Sequence, residues 1–348
     1  MNRDDLHYVP MLRGKRAELS ALSTSGHLTT MTPLVELQPI EGEVPSTVVA
    51  KRVNDILQAW YRPLFLDVQG AFDDSDVDLA DGYNLVRRAA QSIAEDLPVP
   101  EPIPVVDIAS PDGFLAAVRV ALSEDAGPDE VCIRLRADHV ERPVQLRNRL
   151  ETLVHTLGAT PEQVHLVLDL ESTVNVAFAE MLTMVVPAEE WGGYTLAWGA
   201  FPTQLGSEEE QVHGRHDWTG WVDIHDALRM DNYRAPGFGD YSIVAASPPP
   251  SVPRAPNPNL RVTRHLDWLV MRERRTALEG NEAIYRVAQR LVGHVDEGLS
   301  AGDSWVIEHA RGDGTTGNAT TWITVGHQRH FAFVTAQLAS RGGSSVPL

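Results

Sequence analysis

Eight short apolar, β-branched runs recur along this chain with helical patterns between them, and that alternation restricts the fold more than any other feature. The runs are Tyr8–Leu12, Thr32–Leu37, Pro63–Val68, Ile103–Ile108, Val131–Arg136, Val164–Leu170, Tyr194–Phe201 and Tyr241–Ala245. Between them, Val48–Trp60, Tyr83–Glu95, Gly113–Ser123, Val144–Thr156 and Val174–Val186 carry apolar residues at helical spacing. Strands alternating with helices denote βαβ units and a parallel sheet. Eight such units predict an α/β fold closed into a (β/α)8 barrel of the TIM type. A doubly wound open sheet is the other arrangement that this alternation admits.

Local signals place the turns. Ser110-Pro111-Asp112 reads as a helix start, and Thr160-Pro161-Glu162 as a short capped turn leading into the sixth strand. Asp73–Asp81 reads as a solvated acidic loop. After the eighth run the chain changes character, with prolines crowded into Pro248–Pro258. This predicts a barrel body over 1–247, a proline-rich linker over 248–259, and a C-terminal appendage over 260–348 that packs back on the barrel. In the appendage, Leu260–Arg272 has strand alternation, Glu282–Val295 reads as an amphipathic helix, and Ser304–Glu308 as a strand. Arg311–Asn318 is a glycine-rich loop, and His327–Leu338 a closing helix.

Composition narrows the partners. The net charge of −19, from 48 acidic and 29 basic residues, repels phosphate backbones and makes nucleic acid an unfavourable partner. The single cysteine, Cys132, lies in an apolar run and excludes a disulfide framework within the chain. No apolar stretch is long enough to span a bilayer, and the polar start Met1–His7 has no secretory pattern, so a cytoplasmic location without membrane attachment is expected.

Strand parity supplies the functional signal. Leu34, Glu36 and Gln38 share one face of the second strand; Phe65, Asp67 and Gln69 one face of the third; Val105 and Asp107 one face of the fourth. Cys132, Arg134 and Arg136 follow in the fifth, and Val167, Asp169 and Glu171 in the sixth. The opposite face is aliphatic throughout, as a strand surface covered by helices must be. In a closed barrel the first face lines the lumen, and its charged residues gather at the C-terminal mouth, where barrel enzymes carry their chemistry. Glu36, Asp67, Asp107, Asp169 and Arg136 are therefore the candidate catalytic set. Lys15, Arg134, Trp198, Tyr241 and His330 are the candidate ligand-binding set. The carboxylates have the chemistry to hold a divalent cation such as Mg²⁺. Alternatively, a pair of them serves as acid and base while Arg136 binds an anionic group. A structural network in which the arginines neutralise the acids is the competing reading. Outside the cluster, His213, His216 and Asp217 form a weaker metal-binding pattern, and Trp218, Trp221 and Tyr233 suggest a lid or plug.

The opening Tyr8-Val9-Pro10-Met11-Leu12-Arg13-Gly14-Lys15-Arg16-Ala17-Glu18-Leu19, with Thr32-Pro33-Leu34-Val35-Glu36, resembles the "beta protein" family, a bacterial family named from a phage protein. Phe238-Gly239-Asp240-Tyr241, Trp268-Leu269-Val270, Thr321-Trp322, His330 and Gln337-Leu338 extend the resemblance over nearly the whole chain. Members often carry a histidine pair where this chain has Arg329-His330. The resemblance implies a barrel and a phage–host setting, and singles out Lys15, Glu18, Glu36, Tyr241, Trp322 and His330 without giving them roles. Three functions are compatible with these features. One is a hydrolase-like enzyme for a small anionic substrate. Another is a non-enzymatic sensor or subunit with a protein partner in phage–host conflict. The third is an acidic mimic of nucleic acid.

Overall fold

The computed structural model describes residues 6–140, 143–172, 174–247, 257–274 and 280–342. In chain order the first half comprises β1 (Tyr8–Leu12), α1 (Arg16–Leu22), β2 (Leu34–Glu36), α2 (Ser46–Ala59), β3 (Phe65–Asp67), α3 (Leu79–Asp96), β4 (Ile103–Val106), α4 (Asp112–Leu122), β5 (Val131–Arg136) and α5 (Pro143–Leu157). The second half comprises β6 (Val164–Asp169), α6 (Val176–Val185), β7 (Gly193–Trp198), β8 (Glu210–Gly214), α7 (His216–Met230), β9 (Gly237–Asp240), β10 (Asn259–Thr263), β11 (Asp267–Arg272), α8 (Ala283–Leu291), α9 (Ala301–Ala310) and α10 (Ala319–Arg341).

Strands β1 to β7 and β9 form a closed barrel, each pairing in parallel with its neighbours, and β9 closes it against β1. The predicted (β/α)8 architecture is thus present. The strand faces divide as their parity requires. Val35, Leu66, Val106, Ile133, Leu168 and Leu196 point outward into the core beneath the helices. Val9, Met11, Leu34, Phe65, Val105, Cys132 and Val167 fill the lumen with apolar side chains. Glycine is needed at two lumen-defining points. A Cβ on Gly239 would stand 2.8 Å from the Ala197 Cβ, and one on Gly14, whose φ is +62°, would stand 2.8 Å from the Glu36 carbonyl oxygen.

Four elements differ from the sequence expectation. The eighth barrel strand is Gly237–Asp240 rather than Tyr241–Ala245; its two glycines give it no strand-like side-chain signal, although the packing demands them. The stretch between the seventh and eighth barrel strands, expected as a loop, holds β8 and α7. Strand β8 pairs antiparallel with β11, which in turn pairs with β10, so Leu260–Arg272 is a hairpin in a small three-stranded sheet. Ser304–Glu308, expected as a strand, lies within α9. There the Ser300 side chain caps the Asp303 N–H, and the buried Arg329 holds the Asp303 carboxylate, fixing a helical start that β-branched composition masks.

Helix α10 runs along α1 and against β1 and β10, completing the helical ring where the barrel closes. Most of the proline-rich segment, 248–256, lies outside the described residues. The glycine-rich loop ends at Asn318, whose side chain accepts from Thr320 N and Thr321 N and starts the 23-residue α10. Asn318→Ala is expected to lower unfolding free energy by about 1 kcal/mol. Urea denaturation checks this, and an unchanged midpoint would show that the cap contributes nothing.

Candidate functional site: the charged mouth of the barrel

The last lumen-facing residue of each of several strands carries a charge, and the parallel register sets them level. Glu36 pairs with Asp67, and Arg136 with Asp169. Arg134 sits one inward position deeper, and its guanidinium, only 2% exposed, becomes the hub. Its Nε and Nη2 donate to Asp169 Oδ2 at 2.9 and 2.7 Å. Its Nη1 donates to both Glu36 Oε1 and Asp67 Oδ2 at 2.8 Å. Nη2 also meets the Tyr241 hydroxyl at 3.2 Å, and that hydroxyl donates to Asp169 Oδ2 at 2.7 Å. Burial opposes the positive charge, but Asp169, Tyr241, Asp67 and Glu36 together hold the guanidinium pKa well above its ordinary value. Three carboxylates around one buried guanidinium form a charge-assisted network.

Around this hub the mouth is more open. The Arg136 side chain is 34% exposed and reaches Asp67 Oδ2 at 3.4 Å; the Glu36 side chain is 31% exposed. Glu171 follows Asp169 with φ at +49°, a left-handed conformation unusual for a non-glycine residue. Burial and then Asp169 raise its carboxyl above the usual range, against the opposing pull of Arg136 and Arg134. Ser242, next to Tyr241, has φ at +57°. Two residues in sparsely populated backbone conformations thus flank the charged layer, a clustering common where side chains must be held in place for function.

The structure therefore brings together Glu36, Asp67, Asp169, Arg134, Arg136 and Tyr241. It separates the other four candidates. Asp107 turns into its own loop, where Oδ1 accepts from Ala109 N at 2.7 Å and from the Ser110 hydroxyl at 3.4 Å. Lys15 stands exposed at the start of α1. Trp198 faces the helices and is buried in the outer core, because it lies one residue beyond the inward-facing Ala197. His330 is buried on α10, outside the lumen. Strand parity was available for Trp198; the position of His330 depends on how α10 docks, which no local pattern reveals.

His330 belongs to a second buried network that sequence reasoning missed. Its Nε2 donates to Asp240 Oδ2 at 2.7 Å, and its Nδ1 accepts from the Thr263 hydroxyl at 2.8 Å. Tyr8 donates to Asp240 Oδ1 at 2.7 Å, and His327 Nδ1 meets the Ser242 hydroxyl at 2.9 Å. Arg215 lies between Trp218 and Trp268 and donates to Gln337 Oε1 at 2.6 Å. The Thr263–His330–Asp240 order has the connectivity of a nucleophile–base–acid triad. All three side chains are nevertheless buried between the barrel wall and α10, so the arrangement joins α10 to the barrel rather than meeting solvent. The signal available was the motif Phe238-Gly239-Asp240-Tyr241, whose alternation sends Tyr241 into the lumen and Asp240 out toward α10.

Among the described residues, no group of three or more His, Cys, Asp and Glu side chains is placed to hold a metal ion. At the mouth the carboxylates converge on a guanidinium. His213 lies on β8 and His216 and Asp217 open α7, while Trp218 and Trp221 are packed in the core and Tyr233 is exposed. No helix among the described residues is long and apolar enough to cross a membrane.

Structural comparison finds the carboxyl transferase domain of Rhizobium etli pyruvate carboxylase at 9% identity and a TM-score of 0.40, covering 97% of this chain and 48% of that one. It also finds endo-β-N-acetylglucosaminidase from Cordyceps militaris at 9% identity and a TM-score of 0.34, covering 68% of this chain and 81% of that one. No curated protein matches the sequence. The family described as Beta protein matches residues 8–336, nearly the full span over which the barrel, the charged mouth and α10 are built, and the chain belongs to that family.

Proposed function

We propose that the barrel mouth is the active site of an enzyme acting on a small anionic substrate, with Arg136 as the anion anchor and Glu171 as the proton-transfer group. The observation carrying this reading is the division of labour between the two arginines. Arg134 is saturated by Glu36, Asp67, Asp169 and Tyr241, so it cannot take an incoming anion without breaking a buried network. Arg136 makes one long contact and is partly open to solvent. A carboxyl raised above its usual range, as Glu171 is, takes up a proton more readily than an ordinary carboxylate, the property a proton-transfer group needs. Hydrolysis is the reaction class that needs least beyond such a group and water. Arg134 and its acids then act as the rigid floor that positions Asp67 and, through it, Arg136.

The test is a thermal-shift panel of small carboxylates and phosphate monoesters, followed by hydrolysis assays on the ligands that bind. Arg136→Ala should abolish the ligand-induced shift; Glu171→Gln should keep the shift and lower turnover by about 10²-fold or more. A panel without a stabilising ligand, or an Arg136→Ala protein that still responds, overturns the reading. The second reading, a non-enzymatic sensor or partner-binding subunit in phage–host conflict, is favoured by the completeness of the Arg134 network. It would be supported by a stoichiometric protein partner whose binding survives Glu171→Gln.

A further inference from the structure

At the opposite end of the barrel from the charged mouth, where β7 and β9 begin, a cavity of about 440 Å³ opens between the C-terminal halves of α6 and α7. That volume is within the range of small-molecule sites. Its walls include Ile224, Ala227 and Leu228, and the rim carries Met184 and Tyr233, which are 78% and 57% exposed. Tyr194 lines it too; this residue is buried, and its hydroxyl has no hydrogen-bond partner among the described residues. A buried hydroxyl without a partner is costly, and a bound polar group is one way to satisfy it.

The charge around the cavity is mostly negative. Glu180, Glu189 and Asp231 line it. Arg234, the cation among the lining residues, turns its guanidinium onto the carbonyls of Ala188, Trp191 and Gly192. Helices α6 and α7 both end here, at Val185 and Met230, so the partial negative charges of two carbonyl termini add to the field. An exposed aromatic ring, such as that of Tyr233, also attracts cations over its face.

From these features we infer that this cavity binds a small organic cation with an apolar body: the body rests on Ile224, Ala227 and Leu228, and the ammonium faces Glu180 and Asp231. The ligand class goes beyond the activity proposed for the mouth and does not depend on it.

The experiment titrates the full chain, labelled at the methionine methyls, with 2-phenylethylamine, 2-phenylethanol and 3-phenylpropionate. These probes share an apolar body and differ in head-group charge. The amine should shift the Met184 methyl saturably and bind at least about fivefold tighter than the alcohol, the upper scale of exposed ion pairs, with the acid weakest. The Glu180→Gln, Asp231→Asn double variant, changed only at exposed side chains, should cut the amine's preference over the alcohol to about twofold or less, the remainder coming from Glu189, the helix ends and Tyr233. Ala227→Phe, which fills the cavity, should remove the Met184 response. Equal affinities in the parent chain, an amine preference undiminished in the double variant, or no saturable Met184 shift would each overturn the inference.

Discussion

Replacing Arg134 with methionine should destabilise the protein by about 3–5 kcal/mol, more than any other single substitution at the mouth. Asp67 and Asp169 are buried, and the guanidinium provides the charge that makes their ionised forms tolerable there. Methionine fills much of the same space, so the loss reports uncompensated charge rather than a void. The apolar triple variant Arg134→Met, Asp67→Leu, Asp169→Leu should regain part of the loss, since replacing a whole buried ionic group with apolar residues is often near neutral. Arg134→Lys should fall between, because one ammonium cannot reproduce a planar fork contacting three carboxylates. Arg136→Ala should cost less than about 1 kcal/mol, as its side chain is partly exposed. Urea denaturation of the four proteins is decisive. A loss below about 1 kcal/mol for Arg134→Met would mean that the acids find other partners.

That contrast between Arg134 and Arg136 also marks where the sequence was informative. Alternation along a strand is a local, two-residue property, so the inward set Glu36, Asp67, Arg134, Arg136 and Asp169 could be read before any fold was known. What alternation cannot tell is depth. Arg134 and Arg136 share a face and look equivalent, yet one residue pair of strand rise separates a saturated, buried guanidinium from an open one. Asp107 was read from the same parity, but the strand β4 ends at Val106 and the carboxylate caps the following turn. The elements that escaped prediction depend on distant partners: β8 on β11, the Asp240–His330 contact on the docking of α10, and the glycine-containing β9 on close packing against Ala197.

The second large effect lies in the network around α10 and appears as a dependence of stability on pH with opposite responses in two variants. Burial, then His330 and Arg261, depress the His327 imidazole to about 3; burial depresses His330 as well, against the pull of Asp240. Burial and then Asp240 raise Asp217 to about 7, against Arg215. Below about pH 6.5 the unfolded chain takes up a proton at His327 that the folded one does not, and the lowered His330 acts in the same direction, so both make stability fall as pH falls. Asp217 has the reverse sign. Its folded form holds a proton that the unfolded chain releases above the ordinary value of 3.8, so its contribution grows as pH falls from about 7 toward 4. Each uncompensated proton is worth about 1.4 kcal/mol per pH unit. At about pH 5 the two histidines and the aspartate leave at most one net proton, and the excess shrinks toward about pH 6.5 as the unfolded histidines lose theirs, so these groups alone give the parent chain a positive slope that is steepest at the acid end of this range. His327→Gln removes one histidine and should flatten the profile; Asp217→Asn removes the opposing carboxyl and should steepen it, while stabilising the fold above pH 7, where the parent must bury a charge. Unfolding free energies at half-unit steps from pH 5 to 8 test both signs at once, and parallel profiles for the three proteins would show that neither group changes its protonation on folding.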